Sequence, residues 1–209
     1  MHKLLAGIVD YRRHVRPAYA ETFAKLALTQ APDCLMVACS DSRVVPNLFA
    51  STDPGDLFVV RNVGNFVPPF ERDARNGAAG AAVEFSTEVL GVRDIVVVGH
   101  SECGAMRALL GSALPDSAPT LRAWLSLGRP ALEHLTDPIA PDLPQHDRLS
   151  QLNVLQQLEN LRTYPGVAAR IEAGKLKLHA WWFDIAHADV LAWHHGRQRF
   201  EPIDEPTAG

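Results

Sequence analysis

Cys39-Ser-Asp-Ser-Arg43 and His100-Ser-Glu-Cys103 place two thiols, an imidazole, a carboxylate and a guanidinium in two short segments. Thiolate and imidazole are favoured zinc ligands. Structural zinc sites close the tetrahedron with four of them, whereas catalytic sites use three and keep a position for water or substrate. Cys39, His100 and Cys103 supply three. Asp41 and Arg43 follow Cys39 closely enough to form a second layer and to pair through charge-assisted hydrogen bonds. An Asp held by Arg does not shut the metal as a fourth ligand, and it stays available to accept a hydrogen bond from metal-bound water.

These groups need a frame that brings two distant segments together. Cys34-Leu-Met-Val-Ala-Cys39, Leu57-Phe-Val-Val60 and Ile95-Val-Val-Val98 are short apolar runs bounded by Asp, Pro or Gly, as buried parallel strands read. Gly77 to Leu90 reads as a helix of small residues ended by Gly91, so each strand returns through a crossover. Helices are also expected from Gly104 to Leu110, Leu121 to Leu135 and Ser150 to Tyr164, with a Pro-rich loop over Thr136 to Pro144. Leu4, Leu5, Ile8, Phe23, Leu26 and Leu28 predict N-terminal helices over residues 1–29, broken at Pro17. Leu176 to Trp182 reads as a last strand, with an edge position expected. The fold class is therefore α/β, a central mostly parallel sheet flanked by helices, in one domain over residues 1–209 with an arm (1–29) and a core (30–209). Open sheets of this kind bind ligands at strand carboxyl ends, where Cys39 and His100 both fall.

Composition narrows the class. With 209 residues, 47% hydrophobic and 21% charged, the chain can bury a core without disulfides. A net charge of -4 gives no support to a nucleic-acid partner. No run reaches the roughly 20 apolar residues of a membrane span, and the first residues lack a signal peptide's apolar stretch. Three cysteines, an odd number, argue for reduced thiols and a cytoplasmic location.

CSDSR and HSECG, with PGDLFVVRN, NFVPPF, GAAVEF, IVVVGH and, more loosely, LKLHAWWFDI, resemble the β-class carbonic anhydrases. That resemblance implies one Zn(II) per chain on Cys39, His100 and Cys103, with Asp41 and Arg43 as the catalytic dyad. The implied reaction is reversible hydration of carbon dioxide to bicarbonate and a proton by zinc-bound hydroxide that the dyad orients. Gln30, Phe58, Val63, Phe85 and Gly104 match the substrate pocket of the plant-like branch, although Phe85 stands where plant enzymes often carry Tyr. In a second branch a Trp, an Arg and a Tyr form a non-catalytic bicarbonate site. Here those positions are Met36, Arg61 and Phe183, so only the Arg remains and no such site is expected. The resemblance further implies a homodimer or homotetramer, with the N-terminal helices packing on a dimer partner and the zinc near the interface.

Other readings of the same residues are a relative hydrolysing carbon disulfide or carbonyl sulfide, and a zinc or thiol-redox module using Cys39 and Cys103. Against the last, such a module needs no Asp–Arg dyad. Cys34 has no partner motif and reads as a buried small hydrophobe. His187, His194 and His195 lie in a polar segment and read as surface side chains. The turn Gly99 to Gly104 lacks the spacing of a phosphate-binding loop.

Overall fold

The structure is a computed structural model that describes residues 1–73, 77–111 and 113–203. Its centre is one six-stranded sheet made of β1 (Cys34–Cys39), β2 (Leu57–Asn62), β3 (Asp94–His100), β4 (Lys177–Asp184), β5 (Asp189–His194) and β6 (Arg199–Pro202), in the order β2-β1-β3-β4-β5-β6. The first four run parallel, and β5 and β6 extend the sheet antiparallel. The expected helix-flanked, mostly parallel α/β architecture is therefore present.

β1 and β3 read as unbroken apolar runs because both faces of the sheet are covered. Leu35, Val37, Ile95 and Val97 pack under Val154, Leu158 and Leu161 of the long helix Gln145–Arg162. Met36, Ala38, Val96 and Val98 pack on the other face with Val44 and Phe183. Gly99 lets the long helix approach β3. A Cβ there would lie 2.6 Å from Val154 Cγ2 and 3.1 Å from Ser150 Oγ.

Several expected elements differ. Leu176 to Trp182 is not an edge. From Lys177 on it belongs to β4, between β3 and β5. The polar residues that suggested an edge sit at its start, where His179 Nε2 lies 2.7 Å from Asp94 Oδ1, while Ala180, Trp182 and Phe183 beyond them are buried. β5 and β6 were not expected, and His194 ends β5. The helices His2–Asp10 and Arg16–Leu26 are not interrupted at Pro17. The turn Tyr11–Val15 widens so that Arg16 N–H donates to Tyr11 O, and Pro17 enters the following helical segment where a missing N–H costs nothing. Residues 121–135 are split rather than continuous, into Pro119–Leu125, a tight turn Ser126–Gly128 and Arg129–Glu133, which Pro130 opens. The long helix starts at Gln145, before the expected Ser150. The helix expected over Gly77 to Leu90 spans Ala78–Glu84 and then widens over Phe85–Val89, where Ser86 Oγ and Thr87 Oγ1 both donate to Val83 O at 2.9 Å. Within the described residues, no helix is long and apolar enough to cross a membrane.

Candidate metal centre

β1 and β3 are adjacent, with Ala38 paired to Val98, so their carboxyl ends deliver Cys39 and His100 to one rim. Cys103 follows in the turn that opens the helix Gly104–Leu109. The two Sγ atoms and a His100 ring nitrogen lie within 4.8 Å of one another, and all three residues are buried. His100 Nδ1 lies 2.8 Å from Ser101 O. A carbonyl only accepts, so Nδ1 carries the proton and Nε2 of the neutral ring keeps its lone pair. That Nε2 is buried without a hydrogen-bond partner. An orphaned imidazole lone pair beside two thiols fits a zinc ion better than it fits a packed core.

Electrostatics point the same way. A hydrogen bond from Cys103, assisted by the Gly64 amide 3.4 Å from Cys39 Sγ, holds the Cys39 thiol far below its ordinary range. The same pairing, with burial, pushes Cys103 up. The pairing thus favours the thiolate at Cys39 over Cys103, and a divalent cation bound there would favour deprotonation of both. Gly64 reaches the sulfur in a left-handed conformation (φ +84°), and a Cβ there would meet the Phe66 ring at 2.8 Å.

Asp41 and Arg43 form a bidentate pair. Arg43 Nε donates to Oδ1 at 2.9 Å, Nη2 to Oδ2 at 2.8 Å, and the Arg43 amide to Oδ1 at 3.0 Å. These bonds hold the Asp41 carboxyl well below the usual carboxylate range. Arg43 Nη2 also donates to Glu102 O at 3.2 Å, joining the dyad to the turn between His100 and Cys103. Arg61 is a backbone clamp, its Nε donating to Cys39 O (3.0 Å) and its Nη2 to Asp41 O (2.7 Å). Met36 and Phe183, the other two positions of the second-branch bicarbonate site, are buried in the core, with Phe183 stacked on Phe49 at 5.2 Å.

The pocket residues are less gathered. Phe58 and Phe85 stack with centroids 5.8 Å apart, and Phe85 is 41% exposed. Val63 is exposed at its side chain while its carbonyl accepts Trp124 Nε1–H at 2.7 Å. Gly104 is exposed at the start of its helix, with open space where a Cβ would stand. Gln30 is exposed on the connection before β1. Cys34 is partly buried, and burial with nearby Asp94 pushes its thiol up to about 12. His187 is exposed, its Nδ1 2.8 Å from Asp184 Oδ2.

Sequence reasoning missed what carries the loops of the site, a buried polar ladder on the helix Gln145–Arg162. Asp147 Oδ1 accepts Glu102 N–H at 2.6 Å. Ser150 Oγ accepts His100 N–H (3.2 Å) and donates to His100 O (2.8 Å). Asn153 Nδ2 donates to Gly64 O, Gln157 Oε1 accepts Val67 N–H, and Asn160 Nδ2 donates to Val67 O. Every member is buried. The only signal in the sequence was a recurrence of Asp, Ser, Asn and Gln every three or four residues, which a solvated helix face also shows.

A sheet with a Cys-His-Cys cluster at its carboxyl rim and an ion-paired carboxylate beside it defines an open α/β protein with a candidate catalytic metal site. Residues 34–190 match a protein-family model described as carbonic anhydrase. A carbonic anhydrase of Pseudomonas aeruginosa is 41% identical, over 98% of this chain and 93% of its own. Among solved structures, the β-carbonic anhydrase CcaA superposes with a TM-score of 0.90 at 35% identity, covering 98% of this chain and 92% of that one. One of two tetrameric β-carbonic anhydrases from Sordaria macrospora gives 0.78 at 29% identity, covering 91% and 95%. The chain belongs to the β class of the carbonic anhydrase family. It is accordingly an enzyme of carbon dioxide hydration.

Proposed function

We propose that the chain hydrates carbon dioxide reversibly at a zinc ion held by Cys39, His100 and Cys103. The observation that carries this reading is the orphaned, buried Nε2 of His100 facing two thiols one of which is already acidified. Zinc bound there supplies a Lewis acid that makes hydroxide available near neutral pH. Asp41 orients the attacking oxygen by accepting its proton-bearing side, and Arg43 keeps both carboxylate oxygens engaged so that Asp41 stays off the metal. Phe58, Val63 and Phe85 form an apolar wall suited to an uncharged linear substrate. Gln30 and the Gly104 amide are the donors to a substrate oxygen. The plant-like pocket pattern and the burial of Met36 and Phe183 support the branch without a bicarbonate side site.

The chain acts as a homodimer or homotetramer. The helices His2–Asp10 and Arg16–Leu26 bury no residue within the chain, and Leu4, Leu5, Ile8 and Val9 are exposed. An apolar face of this kind, together with the tetrameric neighbours, supports packing of the arm on a second copy. The single sheet supports reading residues 1–209 as one domain, and three free cysteines support a cytoplasmic location.

The test is stopped-flow carbon dioxide hydration against pH, with zinc content measured on the same sample and on Asp41→Ala. Two thiolate ligands offset part of the metal's charge, so activity is expected to rise from neutral to alkaline pH. With one zinc per chain, the variant is expected to lose about 10²-fold or more. One zinc per chain with no hydration at any pH refutes the reading.

A further inference from the structure

The turn between His100 and Cys103 contains a residue in an unfavourable conformation. Glu102 is not glycine, yet its φ is +58°, in the left-handed region. Such a conformation persists only where its surroundings over-determine it. Three contacts do so. Glu102 N–H donates to Asp147 Oδ1 at 2.6 Å, its Oε2 is ion-paired with Arg107, and its Oε1 lies 3.1 Å from His146 Nε2. Arg107 and Glu102 have half-exposed side chains and His146 is 17% exposed, whereas Asp147 is 6% exposed. The Asp147 carboxylate also lies 3.5 Å from His146 Nε2, yet its shortest contact is the Glu102 amide, and a buried carboxylate aimed at that amide needs a reason.

The reason lies in what the Glu102 peptide touches next. Its carbonyl accepts Arg43 Nη2–H, and the same Nη2 donates to Asp41 Oδ2. An unbroken chain of hydrogen bonds thus runs from Asp147 through the Glu102 backbone to Arg43 and Asp41. The residues on either side of this turn are two of the three proposed metal ligands.

We propose that Asp147 is a positioning residue of this site. Its Oδ1, by accepting the Glu102 amide, sets the angle of the turn that carries His100 and Cys103 and aims the carbonyl on which Arg43 docks. The inference rests on the carbonic anhydrase reading given above, and it concerns an acceptor at a fixed place, with the negative charge incidental. Asp147→Asn keeps an acceptor oxygen in that place and removes the charge. Asp147→Glu keeps the charge and carries the acceptor one methylene further. A merely structural charge at the start of the long helix would rank these two in the opposite order.

The experiment uses the full-length zinc-loaded protein. Release of zinc to a colorimetric chelator is followed for wild type, Asp147→Asn, Asp147→Glu and Asp147→Ala, together with kcat and KM for hydration. Loss of outer partners of a metal site typically costs about 10–100-fold in metal retention or activity. We expect Asp147→Ala and Asp147→Glu to release zinc about 10-fold faster or more and to lose kcat with KM little changed, while Asp147→Asn stays near wild type in both. Asp147→Glu matching wild type while Asp147→Asn fails overturns the proposal, as does wild-type zinc release from Asp147→Ala. Should Asp147→Ala fail to fold, the order of the other two decides. A wild-type protein that holds zinc and hydrates nothing refutes the functional reading alone, because zinc release still ranks the variants.

Discussion

Gln157 offers a direct measure of how much the buried polar ladder holds. It is fully buried, and its Oε1 accepts Val67 N–H at 2.8 Å and Asn160 Nδ2–H at 3.1 Å while its Nε2 donates to Asn153 Oδ1 at 2.9 Å. In Gln157→Leu, Asn160 Nδ2 keeps its bond to Val67 O, but Val67 N–H and Asn153 Oδ1 lose those partners. A buried group left unsatisfied costs about 1–3 kcal/mol, so two cost about 2–6 kcal/mol. The added apolar surface returns about 1 kcal/mol. The net loss is near 3 kcal/mol, which lowers Tm by about 6–12 °C in a chain of this length. Urea and thermal unfolding at one fixed protein concentration read it, because association of copies also shifts Tm. Gln156→Leu is the control. Gln156 is partly buried and makes a single side-chain bond, to Asn160 Oδ1, so its loss is expected at about 1 kcal/mol or less. A Gln157→Leu protein within about 1 kcal/mol of wild type would refute the claim that these bonds, more than the apolar contacts around them, hold the Asn65–Val67 loop.

Gly99→Ala forces a methyl against Val154 and Ser150 and is expected to destabilise by about 1–3 kcal/mol in the same unfolding assay. Cys34, raised to about 12, stays protonated at pH 8 and alkylates slowly with iodoacetamide. Because the folded state keeps this proton after the unfolded chain has lost it, the Cys34 contribution is intact below about pH 9 and is lost between about 9 and 12; Cys34→Ala flattens that part of the stability profile. Removal of metal by a chelator is expected to make Cys39 and Cys103 reactive toward a disulfide reagent, raising the thiol count, and added zinc is expected to suppress it again.

The Cys39-His100-Cys103 cluster and the Asp41–Arg43 pair were legible in the sequence because each rests on local chemistry. Cys39 and His100 end apolar β-type runs, and Cys103, Asp41 and Arg43 lie within four residues of them, so short-range geometry nearly fixes which groups meet. The parallel core was legible for a related reason, since strands buried on both faces leave no polar alternation to misread. β5 and β6 were not, because Asp189–His194 and Arg199–Pro202 are short and only partly buried, and polar ends mask their alternation. Pocket assignments such as Phe85 and Gln30 rested on resemblance, and within one chain both are exposed. The sequence by itself thus determined which thiols, imidazole and ion pair gather at the rim and the frame that presents them. Tertiary structure alone decided that Asp147, Ser150, Asn153, Gln157 and Asn160 face the site's loops and not the solvent. A polar stripe at helical spacing is the same string of letters in either case, and only the backbone amides and carbonyls of residues 64, 67, 100 and 102, brought from far along the chain, give those side chains partners to be buried with.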